Sequence, residues 1–104
     1  YSVADFNDTI LIGNSNDSIN IDTYFHNSVY FKKFAGYNDC ILHGLTIDSI
    51  LTILTQTINC GSPLADRIFS GTGVYSKDFT SFTIYYTETT NSVTKNGHCI
   101  YTKN

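Results

Sequence analysis

One stretch decides what this chain can fold into. From Leu45 to Asn59 the apolar residues Ile47, Ile50, Leu51, Leu54 and Ile58 recur at helical spacing. At 100° per residue they fall within about a 100° arc, the width of a core-facing stripe. The boundaries agree. Thr46 is an N-cap residue type, Asp48 stands where a carboxylate suits the helix dipole, Gly61 can cap the C-terminus, and Pro63 blocks continuation. Thr and Ile lower helix propensity by a few tenths of a kcal/mol each, so this helix needs a sheet to pack on. The pattern predicts a principal helix over about 46–59.

The remaining residues read as strands and turns. Thr9 to Ile12 is a short apolar run ended by the turn cluster Gly13-Asn14-Ser15-Asn16-Asp17. Ile19, Ile21, Thr23 and Phe25 alternate with polar or aromatic neighbours, and Val29 to Phe34 follows after a short break. These two predict an antiparallel hairpin, with Lys32 and Lys33 keeping an edge soluble. After a short helical turn at 64–69, Gly71-Thr72-Gly73 and Ser76-Lys77-Asp78 read as turns, and Phe79 to Thr87 as a strand. Asn96-Gly97 is the residue pair of a type I′ hairpin, placing Lys95 opposite His98 and Val93 opposite Ile100. Strands on both sides of one helix predict an α+β fold. A mostly antiparallel sheet packs on the helix as a two-layer sandwich, in a single domain over 1–104.

Three cysteines, Cys40, Cys60 and Cys99, allow at most one internal bridge. Cys60 and Cys99 flank elements that can pack together, which predicts that they pair. Cys40, in a turn-like run, is then free or linked to another chain. The chain begins at Tyr1 and has no methionine, so a processed or trimmed product is expected. Asn7 and Asn16 open Asn-x-Ser/Thr sequons and are candidate glycosylation sites. No stretch is apolar and long enough to span a bilayer as a helix. The expected location is extracellular.

Charge excludes more than it suggests. Net charge is −3, and the six Lys and Arg residues are scattered, so no basic face tracks a phosphate backbone and no nucleic acid partner is expected. Three histidines, His26, His43 and His98, with Glu88, Lys32, Lys33 and Arg67, are the groups from which an RNase-like acid–base pair would be drawn. No spacing ties them together, so no catalytic residue is assigned. Cys40-x-x-His43 with His98-Cys99 holds four soft ligands, but adjacent strand residues point to opposite faces. No metal or cofactor is called for.

Aromatic residues remain, eight Tyr and seven Phe. On alternating strands they fall on both faces, so one set stays outside the core. Tyr24, Tyr30, Tyr85 and Tyr101 are the candidate binding surface, since a rigid tyrosine makes contact at low entropic cost. In plan alone, the chain resembles small secreted toxins and effectors. The expected function is a secreted, non-enzymatic interaction protein. Its partner is a protein, a cell-surface carbohydrate or a second subunit. A small ribonuclease-like hydrolase and a structural subunit of a surface or capsid assembly are the alternatives.

Overall fold

Period-two alternation, not helical spacing, organises this chain. In the computed structural model, which describes residues 1–21, 28–37, 39–47, 50–76 and 80–103, Phe82, Ile84, Tyr86 and Glu88 are buried while Tyr85 and Thr87 between them are exposed. The described residues form nine strands: β1 (Ser2–Asn7), β2 (Ile10–Asn16), β3 (Ile19–Ile21), β4 (Ser28–Phe31), β5 (Leu42–Ile47), β6 (Ile50–Cys60), β7 (Ala65–Tyr75), β8 (Ser81–Thr90) and β9 (Val93–Thr102). All pair antiparallel in one sheet of order β2-β1-β9-β8-β7-β6-β5-β4-β3. The two edge strands, β2 and β3, are separated in the chain by Asp17 and Ser18 alone. Two residues reach no further than about 10 Å, so the sheet must curl until its edges approach at that corner.

The inner face of the curl is the core. A 3-10 turn, Phe34–Gly36, drops into it from the β4–β5 connection. Phe34 is fully buried there, with ring centroids 5.6 Å from Phe31, 5.4 Å from Phe69 and 5.0 Å from Tyr86. Burying a side chain of this size is worth about 2–3 kcal/mol. Tyr101 stacks on Phe82 at 4.8 Å and meets Phe31 at 5.5 Å. This turn supplies the second layer that a principal helix was expected to supply.

The expected α+β sandwich is therefore corrected to an all-β sheet, and the helix over 46–59 to the end of β5 and most of β6. Ile47, Ile50 and Leu54 are exposed, whereas Leu51 and Ile53 point inward. A bulge between Ile53 and Gln56 then shifts the inward set to Ile58 and Cys60. The spacing that imitates a helix arises because exposed Ile47, Ile50 and Leu54 are as apolar as inward Leu51 and Ile58 and are counted with them. The Thr and Ile content, unfavourable in a helix, suits a pleated surface.

The turn readings also shift. Asn96-Gly97 lies inside β9, and the β8–β9 turn is Asn91-Ser92, with φ of 51° and 65° between the paired residues Thr90 and Val93. Lys95 consequently faces Glu88, and His98 faces Tyr85. Gly97 serves packing, since a Cβ there would sit 2.6 Å from the Tyr86 ring. Gly71-Thr72-Gly73, residues 65–69 and most of the cluster after Ile12 are likewise strand. The β3–β4 hairpin is antiparallel as expected, with Ile21 opposite Val29.

The bridge joins Cys40 to Cys60, Cα atoms 5.2 Å apart, and Cys99 is free and buried. The expected Cys60–Cys99 pair fails on geometry. Cys60 is on β6 and Cys99 on β9, three strand steps or roughly 14 Å along the sheet, beyond disulfide reach. The turn carrying Phe34 returns the chain across the inner face and delivers Cys40 to the end of β6.

Candidate functional site

The outer face divides from the inner by alternation, and it is there that the exposed aromatics gather. Tyr85, His98 and Phe6 lie in register across β8, β9 and β1. Phe6 and His98 stack face to face, centroids 4.4 Å apart and planes 6° from parallel. Tyr85 leans on His98 at 5.6 Å and 35° and is 58% exposed. Cross-strand aromatic pairs of this kind stabilise a sheet by a few tenths to about 1 kcal/mol each, while leaving the Tyr85 ring open to a ligand. Leu11 on β2 extends the row beyond Phe6.

Beside Tyr85 runs a groove of about 480 Å³, walled by Ser70, Thr72, Tyr85, Thr87 and Asn96, with Gly71 and Gly97 in its floor. The Ser70 and Thr87 hydroxyls are bonded to each other at 3.0 Å. A second, smaller groove of about 290 Å³ lies where β5 and β6 separate beyond the Leu45–Thr52 pair. There the Gln56 side chain replaces strand pairing: its Oε1 accepts from the His43 N–H at 3.0 Å and its Nε2 donates to the His43 carbonyl at 2.8 Å. Tyr30 lies against the His43 ring at 6.0 Å.

The inner face holds a cluster of charged groups. Glu88, buried, accepts from Arg67 Nη1 at 3.1 Å, from the Tyr37 hydroxyl at 3.0 Å and from the Thr90 hydroxyl at 2.8 Å, all on Oε2. Arg67 also donates to the carbonyls of Cys60 and Pro63, and its guanidinium lies 4.1 Å from the Tyr37 ring centroid. Lys95 Nζ stands 3.6 Å from Glu88 Oε1 and donates to the Tyr37 hydroxyl at 3.1 Å. Burial pulls the Lys95 ammonium down, but the Tyr37 hydrogen bond and the Glu88 charge outweigh it and leave it raised. Every charge here is tied to a neighbour, so the arrangement is a structural knot at one end of the core.

A second buried group centres on Asp5. Its carboxylate accepts from the Cys99 thiol at 3.1 Å and the Ser15 hydroxyl at 3.3 Å. Burial pushes the Asp5 carboxyl up and, with the Asp5 charge, pushes the Cys99 thiol far up, which disfavours the thiolate.

The expected site residues therefore scatter. Tyr85 is exposed on the outer face and Tyr30 lies beside His43; Tyr24 and His26 lie outside the described residues. Tyr101 is fully buried and is corrected from binding surface to core. Arg67 and Glu88 do meet, but His43 and His98 are on the outer face, four strand steps apart, so the sheet brings neither to Glu88. Cys40 and Cys60 are bonded to each other, which removes the Cys–His metal reading; among the described residues no three His, Cys, Asp or Glu are placed to hold a metal. Asn7 and Asn16 are exposed at strand ends. Phe6 and His98 were missed as members of the aromatic face, because pairing between strands at opposite ends of the chain leaves no local pattern. No helix among the described residues is long and apolar enough to cross a membrane. Compared with family models, curated proteins and solved structures, the chain matches none.

Proposed function

We propose that this chain is a secreted, non-enzymatic interaction protein of toxin or effector type that binds its partner through the outer face of β1, β9 and β8. The observation that carries this reading is the Phe6–His98–Tyr85 ladder. Three rings in register, held by their own stacking, present an exposed tyrosine whose position is fixed before any partner arrives, which keeps the entropic cost of binding low. The separation of outer-face histidines from the inner Glu88–Arg67 pair supports binding over acid–base hydrolysis. The internal disulfide fits an oxidising compartment.

The test is retention of a partner from extracellular fluid or intact cell surfaces by the immobilised protein, against Tyr85→Ala and His98→Ala. Loss of the same partner in both variants, with thermal melts unchanged, supports the reading. Equal retention by both variants, or RNA cleavage by the parent chain, overturns it.

One observation favours a second reading, assembly with further copies. Ile47, Ile50 and Val74 form a row in register across β5, β6 and β7, exposed at 65%, 53% and 52%. The mass in solution at micromolar concentration, for the parent and for Ile50→Lys, decides it: an oligomer that dissociates on substitution supports assembly, and a monomeric parent ends it.

A further inference from the structure

We infer that the groove beside Tyr85 is a subsite for a neutral saccharide, an inference that rests on the outer-face reading above and names its ligand. Its wall joins two kinds of surface. One side is the exposed Tyr85 ring, braced from behind by His98. The other is a set of small uncharged polar groups: the hydroxyls of Ser70, Thr72 and Thr87 and the Asn96 carboxamide. A pyranose ring has the matching pair of surfaces. Its axial C–H groups form an apolar face that lies against an aromatic ring, and its hydroxyls each donate and accept.

The polar wall fits that dual demand. Ser70 and Thr87 bond to each other, which consumes one hydroxyl hydrogen and leaves the other hydrogen and most of the lone pairs for a ligand. Asn96 offers a donor and an acceptor in one plane. Gly71 and Gly97 contribute only backbone to the floor, and the other two residues that line it, Ile53 and Tyr86, are buried.

Charge narrows the class. Among the described residues none that lines the groove is charged, and the outward positions of β8 and β9 alternate from Thr83 to Thr89 and from Thr94 to Ile100 without an Asp, Glu, Lys or Arg. The charged residues of these strands, Glu88 and Lys95, are paired on the inner side. An anionic sugar or a nucleotide would find no cation here. A neutral saccharide needs none.

The experiment is a titration of the isotopically labelled protein, followed by its amide resonances, with short neutral oligomers of glucose, mannose and N-acetylglucosamine, and with sialylated and sulfated oligosaccharides for comparison. At least one neutral oligomer is expected to shift the amides around Ser70–Thr72, Tyr85–Thr87 and Asn96–Gly97, with the anionic ones weaker. Tyr85→Ala is expected to weaken that oligomer about tenfold, the worth of one ring contact. Tyr85→Phe keeps the ring and should stay within about threefold of the parent. Thr87→Val, which retains shape but removes a hydroxyl, provides a second probe and should also weaken binding. The inference is overturned if no neutral oligomer shifts the groove, if the anionic ones bind as well, or if Tyr85→Ala leaves affinity unchanged. Absence of sugar binding, with partner retention still lost in Tyr85→Ala, would overturn the saccharide and leave the outer-face reading standing.

Discussion

The Tyr101 hydroxyl donates to Oδ2 of Asp17 at 2.7 Å, across 84 residues of chain, with both residues buried. Oδ1 of the same carboxylate accepts three backbone N–H groups, from Ser18 at 2.7 Å, Lys32 at 3.0 Å and Lys33 at 2.9 Å. One side chain thus ties the corner between the two edge strands to the end of β4 and to β9. Tyr101→Phe leaves Oδ2 buried without that donor and should cost about 1–3 kcal/mol. Asp17→Ala strands three amides as well and should cost more. Asp17→Asn, whose amide can still donate to the Tyr101 oxygen, should fall between the parent and Asp17→Ala. Urea unfolding gives the order; a Tyr101→Phe protein as stable as the parent would show that the corner closes by other means.

The Cys40–Cys60 bridge spans a sequence separation of 20. Closing a loop of that length in the unfolded chain is worth about 3 kcal/mol in the chain-entropy description. Cys40→Ser combined with Cys60→Ser should lower unfolding free energy by about that amount. Thiol alkylation before reduction supplies the independent check: Cys99 should be unreactive in the folded protein and the sole thiol labelled after unfolding without reductant. Labelling of Cys40 under those conditions would contradict the pairing.

Asp5 gives the fold a pH dependence whose sign can be stated. Burial raises its folded pKa above the ordinary 3.8, so in the window above that value the native state holds its proton more tightly than the unfolded chain does. Stability linked to this group is complete below the unfolded pKa and declines as pH rises through the folded one. Asp5→Asn, which is neutral throughout, should flatten that decline. Unfolding free energies of both proteins measured between pH 3 and pH 8 (spanning roughly the ordinary carboxyl range) test it, and parallel curves would remove Asp5 as the cause.

Much of the sheet was legible because strands announce themselves locally. Phe82, Ile84 and Tyr86 alternate without interruption, and the Ile19–Ile21 and Val29–Phe31 runs lie close enough to pair. The Leu45–Asn59 segment misled for a physical reason: exposed Ile47, Ile50 and Leu54 are as apolar as inward Leu51 and Ile53, so hydrophobicity does not separate the two faces and the mixture falls at helical spacing. The disulfide was not legible, since it depends on where the Phe34 turn carries Cys40. The outer-face ladder was legible in Tyr85 alone. Its other rings, Phe6 and His98, meet only because β1 pairs with β9, a contact between the two ends of the chain that no local pattern encodes.

Asn96-Gly97 and Asn91-Ser92 exchange the roles that residue type alone assigns them, and this yields a paired prediction. Ser92 holds φ of 65° in the β8–β9 turn, a left-handed conformation that costs a residue with a Cβ about 1 kcal/mol. Glycine adopts it freely, so Ser92→Gly should stabilise by up to about 1 kcal/mol. Gly97 lies in mid-strand opposite Tyr86, where a Cβ would stand 2.6 Å from the ring. Gly97→Ala must displace that ring from the core and should destabilise by about 1–3 kcal/mol, the usual cost of overpacking. If the turn were at Asn96-Gly97 instead, Ser92→Gly would put a glycine inside a strand and lower stability. The sign of the Ser92→Gly effect in a thermal melt therefore decides where this hairpin turns.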